Sequence, residues 1–419
     1  MNSYLVKDNM KTISDNSTLV NQVAFLLFLL ALPITYLFAY YNLFGSFSSI
    51  EVILFNYLKL LITGFIIIYF ISNSDNFKNK ISLLFIFFYI YIFLYSILNY
   101  NYYEIISVKM NIKYFRYIYV VLIAYLTFFL IGFYNRDYRK YFKYILIFYV
   151  LLTVNAWINV DPQTLYISFK GVDKDLIGVY QKLGDIYAII AIIFILLIKR
   201  NKYIQLSIII ISFITLFILM SRSSLYVYTI TMLFYLVVIY RFKAVFYILF
   251  IVSIIMVFIV DSGTYYDIIM NSRLTSFMRS GEDGSWVARK QLAEVGINAI
   301  KNYWLIGDYG GDIIQFRETG NYIHSYLSIL RQFGLIPFLI IFYWILLFSY
   351  RLFKWMLDNS KYSDYYNIFI ILFLFNLIEI SIARSFGSPY IFISIGMLAS
   401  IYSNPALIYK KTEVQNRII

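Results

Sequence analysis

The chain has one histidine, His324, and it opens the stretch HSYLSILRQFGLIPF where a long polar segment gives way to a long apolar one. Imidazole titrates near neutral pH, so a lone one at such a boundary is a candidate for moving a proton. Contact with a phosphate, or a hydrogen bond to a loop carbonyl at a membrane surface, would also suit it, and the sequence leaves all three roles open. Four arginines stand at comparable boundaries: Arg222 in LMSRSS, Arg289 in GSWVARKQLAEVGINAIKNYW, Arg331 seven residues after the histidine, and Arg384 in IEISIARSFGSP. A guanidinium grips a phosphate through two parallel hydrogen bonds where lysine offers a point charge, so converging arginines suit a pyrophosphate. For any one of them, snorkelling to the membrane surface is an equally good explanation. Glu379, five residues before Arg384 and inside an apolar run, is an acid that orients an arginine or simply pairs with it. The triplet Asp173-Lys174-Asp175 has the look of a metal-binding pair, but such triplets recur by chance, and no metal or cofactor is expected.

These residues need a frame, and the composition supplies it. Of 419 residues, 62% are hydrophobic and 14% charged, against roughly 25% charged in soluble domains, and the mean hydropathy is +0.75. The apolar runs are long enough to cross a bilayer as helix, and none shows the short alternation of a membrane barrel. The expectation is an all-α bundle, one transmembrane domain over 1–419 with about twelve spans. Their limits fall near 22–41, 52–72, 81–98, 116–134, 142–159, 184–198, 203–220, 224–241, 244–260, 326–350, 365–382 and 389–404. Arg331 then sits about two helical turns inside the tenth. Only MSRSSL parts 203–220 from 224–241. Lys59, inside the second span, is expected to snorkel. There are no cysteines, so disulfides and thiolate chemistry are excluded.

The net charge of +13 does not point to nucleic acid, because the basic residues lie in alternate short loops: Lys78 and Lys80; Arg136, Arg139, Lys140 and Lys143; Lys199, Arg200 and Lys202; Arg241 and Lys243; Arg351, Lys354 and Lys361. That is an orientation signal placing these loops and both termini in the cytoplasm. Three longer segments, 99–115, 160–183 and 261–323, then face outward, and the last is the largest polar region. Arg273, Arg279 and Arg317 within it carry little individual signal. An amphipathic helix is expected over about 286–304. Leu292, Val295, Gly296, Ala299, Ile300 and Tyr303 share one face with Arg289; Lys290, Gln291, Glu294, Asn298 and Lys301 take the other.

The ordered motifs resemble the bacterial O-antigen polymerase and O-antigen ligase superfamily of membrane glycosyltransferases. They are the Ser221-Arg222 turn, the arginine-led helix from Arg289 to the glycines 307, 310 and 311, and His324 followed ten residues on by Gly334, with EISIARS as a weaker fourth. The likeness covers roughly 220–390. Ser325 stands where the family often has Asn after the histidine, and Lys170, Lys174 and Lys182 stand where it has an outer-loop arginine.

The resemblance implies inverting, metal-independent transfer between lipid-linked glycans on the outer face of a bacterial cytoplasmic membrane. His324 and Arg289 would be catalytic, with Arg222, Arg289, Arg384 and Arg331 holding the pyrophosphate. A polymerase moves the growing chain from undecaprenyl pyrophosphate to a lipid-linked repeat unit; a ligase moves the finished chain to lipid A–core. Polymerase is favoured because such gene loci supply many divergent, Ile/Phe/Tyr-rich polymerases. Expected partners are the undecaprenyl-pyrophosphate-linked oligosaccharides, membrane lipid, a chain-length regulator and a flippase. A lipid-linked oligosaccharide flippase is the alternative of another class, but it would keep its charges in a cavity between two halves.

Overall fold

The computed structural model describes residues 18–43, 46, 48–100, 108–161, 166–167, 179–198, 201–241, 243, 284–316, 323–358 and 361–409. Eight helices among them are long and apolar enough to cross a membrane. They are α1 (Thr18–Asn42), α2 (Ser49–Ser72), α3 (Lys80–Leu98), α4 (Val108–Tyr134), α6 (Val179–Leu197), α8 (Arg222–Tyr240), α12 (Leu335–Leu357) and α13 (Asp364–Ile382). Three shorter apolar helices join them: α5 (Phe142–Ile158), α7 (Lys202–Ile218) and α14 (Ile391–Ser403). Three further helices, α9 (Gly284–Tyr303), α10 (Gly311–Phe316) and α11 (Leu327–Phe333), lie between α8 and α12. A two-stranded pair, β1 (Val160–Asp161) and β2 (Tyr166–Ile167), is the only sheet among the described residues.

Apolar runs of this length become helix because a lipid-immersed backbone has no water to bond and must satisfy itself internally. Polar side chains mark the starts. Ser48 forms a capping box with Glu51 ahead of α2, Asn79 accepts from the Ile81 N–H at the head of α3, and Ser363 accepts from Tyr366 before α13. Pro33 has no N–H to give inside α1, and the helix takes it up as a π turn over Leu30–Ile34. The Thr35 hydroxyl then donates to the Leu30 carbonyl at 2.7 Å.

The expected spans other than 244–260, which lies outside the described residues, fall on helices. The tenth falls on two. Residues 326–350 do not form one span: Gly334 takes φ +79, where a side chain would be strained, and separates α11 from α12. Arg331 therefore belongs to a short helix ahead of the span rather than to its interior.

The core runs through α6, whose residues from Leu183 to Leu197 are all buried, and through α13 and α14. The closest helix crossing joins α4 to α14. A Cβ at Gly132 would overlap the Ile393 carbonyl, and one at Gly396 would overlap the Phe129 carbonyl, so the two backbones touch directly. Helix α2 is peripheral, with 17% of its most apolar stretch buried.

Polar contacts sort to two ends of the bundle. At the lysine- and arginine-rich end, Asn79 donates to the Ala399 carbonyl (2.5 Å), the Arg136 Nε to Ser400 (2.9 Å), and Arg139 pairs with Asp364 (2.6 Å). At the other end α9, α10, α11, the α7–α8 turn and the segment after α13 meet.

Candidate functional site

The α7–α8 turn reverses the chain at Met220, in the left-handed region (φ 56), and presents Ser221, Ser223 and Ser224 at the head of α8. Helix α6 comes close enough that a Cβ at Gly184 would overlap the Ser221 side chain. The next residue, Asp185, is thereby set against the serines. Ser224 Oγ donates to Asp185 Oδ1 at 2.5 Å and lies 2.6 Å from Ser221 Oγ.

Arg384 completes this cluster. Its backbone N–H bonds to the Glu379 carbonyl (2.9 Å) as α13 ends, which turns the side chain back over the helix. The guanidinium is held bidentately, Nε to Asp185 Oδ2 at 2.9 Å and Nη2 to Oδ1 at 2.7 Å. Nη1 donates to Ser223 (2.9 Å) and to the Ala383 carbonyl (3.2 Å). Glu379 Oε1 is 3.0 Å from Nη2. Distance makes that an ion pair, but the angle does not make it a hydrogen bond, and neither Glu379 oxygen has a hydrogen-bond partner among the described residues. The donors of Arg384 are thus committed to protein groups. Its hydrogen bonds are already used, and its charge is matched by the Asp185 carboxylate.

The segment after Arg384 is tied to two neighbours. The Phe386 N–H donates to Ser328 of α11 (2.7 Å), and its carbonyl accepts from Tyr125 of α4. This fixes the start of α11, and with it His324. Ser325 Oγ accepts from the Leu327 N–H (3.3 Å), so the departure from Asn keeps a polar contact at the helix start. The His324 ring hydrogen-bonds to the Ala383 carbonyl and feels the charges of Arg289 and Arg384. Burial first, then those two guanidiniums, push its pKa down to about 4 from an ordinary 6.5. The ring nitrogen facing Ala383 donates, which sets the tautomer of the neutral ring.

Arg289 reaches this point from α9. The helix turns Lys290, Gln291, Glu294, Asn298 and Lys301 outward and rests on Arg289, Leu292, Val295, Gly296, Ala299 and Ile300. Tyr303 departs from the expected face and is exposed, as are Trp304, Leu305 and Ile306 after it. Arg222 lies beside Tyr226, one turn along α8.

Arg331 is the most enclosed of the cations, 1% exposed, with α9 above it. Its Nη2 is 3.8 Å from Asp308 Oδ2, and its Nε and Nη1 have no hydrogen-bond partner among the described residues. The next residue, Gln332, is fully engaged: Nε2 donates to Asp312 (2.6 Å), while Oε1 accepts from Tyr114 (2.7 Å) and the Gly310 N–H (3.1 Å). Burial raises the Asp312 pKa, against the lowering effect of Gln332 and Arg331.

The structure therefore brings together Arg289, His324 and Arg384, with Glu379 beneath Arg384 and Arg331 under α9. Sequence reasoning missed Asp185, although an acid inside the apolar run KLGDIYAII carried the same signal as Glu379. It also missed Asp308, Asp312 and Gln332, which no spacing marked. Asp173 to Asp175, Lys170, Lys174, Arg273, Arg279 and Arg317 lie outside the described residues. In comparisons with protein-family models, with curated proteins and with solved structures, nothing matches this chain.

Proposed function

We propose that this chain is a membrane glycosyltransferase of the O-antigen polymerase type, using a polyprenyl-pyrophosphate-linked oligosaccharide as donor and a second lipid-linked repeat unit as acceptor. One observation carries the reading: the His324 imidazole, hydrogen-bonded to the Ala383 carbonyl, is gathered with Arg289 and Arg384 at the end of the bundle away from the basic loops. By the charge pattern that end faces outward. Substrate anion and proton acceptor would there be adjacent, which is what transfer from a pyrophosphate needs.

In the proposed step the acceptor hydroxyl gives its proton to His324 as its oxygen bonds to the anomeric carbon. The bond from that carbon to the pyrophosphate oxygen breaks, and its electron pair leaves on the pyrophosphate facing Arg289. Arg384, whose donors and charge are taken up by Asp185 and the serines, positions the Ala383 carbonyl that holds the imidazole. Arrival of the anion offsets the Arg289 charge, so the base strengthens when substrate is bound.

The test is transfer by the purified protein with a lipid-linked repeat unit. His324→Ala and Arg289→Lys are both expected to lose most activity at normal membrane abundance, the second because lysine cannot give two parallel bonds. Full activity in both variants would remove the proposal. In cells, deletion should leave lipid A–core carrying a single repeat unit; core with none, and accumulated lipid-linked polymer, would mark a ligase instead.

A further inference from the structure

At the lysine- and arginine-rich end of the bundle a cavity of about 130 Å³ opens between the start of α1 and the connection from α4 to α5. One water needs roughly 10–15 Å³ of such space, so a group of several heavy atoms fits. Arg136, Asp137 and Lys140 line it from the connection, and Thr18 and Asn21 from α1. Its walls are fixed by contacts to the helices around it. The Arg136 Nε donates to Ser400 of α14 (2.9 Å), and the Asn135 Nδ2 to the Ala24 carbonyl of α1 (3.1 Å). The Tyr141 ring, also in the lining, stacks on Phe25 of α1 with centroids 3.8 Å apart.

The polar groups here have more bonds to give and to take than the protein uses. Arg136 commits only its Nε, so both terminal nitrogens lack an acceptor among the described residues. Neither Arg136 nor Lys140 has an ion pair there, whereas the neighbouring Arg139 is matched by Asp364. On the accepting side, Asp137 takes one bond, from the Lys140 N–H at 3.3 Å. Asn135 lines the cavity, is 2% exposed, and has no partner for Oδ1 among the described residues. A ligand that satisfies all of these must accept from the cations and donate to a carboxylate and an amide oxygen. Two cations against one carboxylate also leave one positive charge to offset. A phosphodiester carries one negative charge, and its oxygens suit the fork of a guanidinium. Hydroxyls on a short polyol attached to it would supply the donors. An ammonium head would donate as well, but it cancels the phosphate and leaves the surplus charge unmet.

The flank beside the cavity is apolar and open. On α5, Tyr144, Ile147, Leu151 and Val154 recur on one side of the helix and are all exposed, as are Leu19 and Leu26 on α1. That stripe begins one turn from Tyr141, and in a bilayer it would lie against acyl chains. We infer that the cavity binds the phosphoglycerol headgroup of a membrane lipid, with phosphate on Arg136 and Lys140 and glycerol hydroxyls on Asp137 and Asn135. The acyl chains run along α5. The site is at the opposite end of the bundle from His324, and it stands whether or not the transferase reading does.

The test uses the full chain purified in detergent, and reads the rise in melting temperature against the concentration of a short-chain lipid. Dihexanoyl phosphatidylglycerol should bind more tightly than dihexanoyl phosphatidylethanolamine. Glycerol 3-phosphate, which has the headgroup chemistry without the chains, should give no shift at the same concentrations. Lys140→Gln should weaken the phosphatidylglycerol response about tenfold, the worth of one charge-assisted hydrogen bond. It should leave the ligand-free melting temperature unchanged, because Lys140 Nζ makes no hydrogen bond or ion pair among the described residues. Lys143→Gln, the same change of charge outside the cavity, should leave the response intact. No phosphatidylglycerol shift in the wild type overturns the site. Equal binding of the two lipids, or equal losses in the two variants, reduces it to the general attraction of a basic surface and overturns it too. A shift with glycerol 3-phosphate as large as the lipid's would make the ligand a soluble ester and overturn the lipid.

Discussion

Asp185 and Glu379 face the same Arg384, yet they should differ sharply in what they contribute. Asp185 takes two aligned bonds from the guanidinium, at 2.9 and 2.7 Å, and a third from Ser224 at 2.5 Å. All three groups are enclosed, with Arg384 and Asp185 side chains 9% and 4% exposed. Asp185→Asn puts an amide where a bidentate carboxylate was and leaves Arg384 buried without its aligned acceptors. Breaking a buried pair in this way typically costs about 3–5 kcal/mol. Glu379 sits within 3.0 Å of the same guanidinium but accepts no aligned bond. Glu379→Gln keeps the volume and breaks no aligned bond, so its effect should lie within about 1 kcal/mol of zero. Converted at roughly 2 °C per kcal/mol for a large chain, Asp185→Asn should lower the melting temperature by about 6–10 °C and Glu379→Gln by no more than about 2 °C. Thermal challenge in detergent followed by size-exclusion chromatography reads both. A double-mutant cycle between Asp185→Asn and Arg384→Gln should give a coupling of at least about 2 kcal/mol. Equal losses in the two single mutants, or a cycle that closes near zero, would refute the assignment of Asp185 as the aligned partner.

Two further outcomes follow from the same end of the molecule. Because the folded protein holds His324 at about 4 against 6.5 when unfolded, the unfolded chain binds a proton between those values that the folded chain does not. Stability should therefore fall as pH drops from about 6.5 to about 4, by at most about 1.4 kcal/mol per unit, and level off below. A melting curve series in which His324→Gln shows the same slope as wild type would count against this. If the basic-loop pattern sets the orientation, residue 290 should report from outside the membrane and both termini from within; reporter fusions finding residue 290 in the cytoplasm would invert the proposed site.

The helices were legible because apolar length is a direct physical requirement of the bilayer, as at α3 and α13. The break at Gly334 was not, since an uninterrupted run from Tyr326 to Tyr350 reads as one span until the backbone is seen to turn. Arg289 and His324 stood out by type and position, whereas Arg331 was misplaced in depth by that same unseen break. Asp185 was overlooked for a different reason. Its meaning depends on Gly184 admitting the α7–α8 turn and on Arg384 arriving from 199 residues away. The state of the imidazole could not be read at all from sequence, because it depends on two guanidiniums supplied by other segments.

The contacts of Gly132 with Ile393 and of Gly396 with Phe129 have a mechanical consequence. Where side chains separate two helices, a shift at one point is absorbed by rotamer changes before it travels. Here carbonyl oxygens meet α-carbons, and no part of the joint is soft. One end of this rod carries Phe386, gripped by Tyr125, two residues beyond Arg384; the other carries Ser400, gripped by Arg136. A displacement of α14 should therefore carry α4 with it.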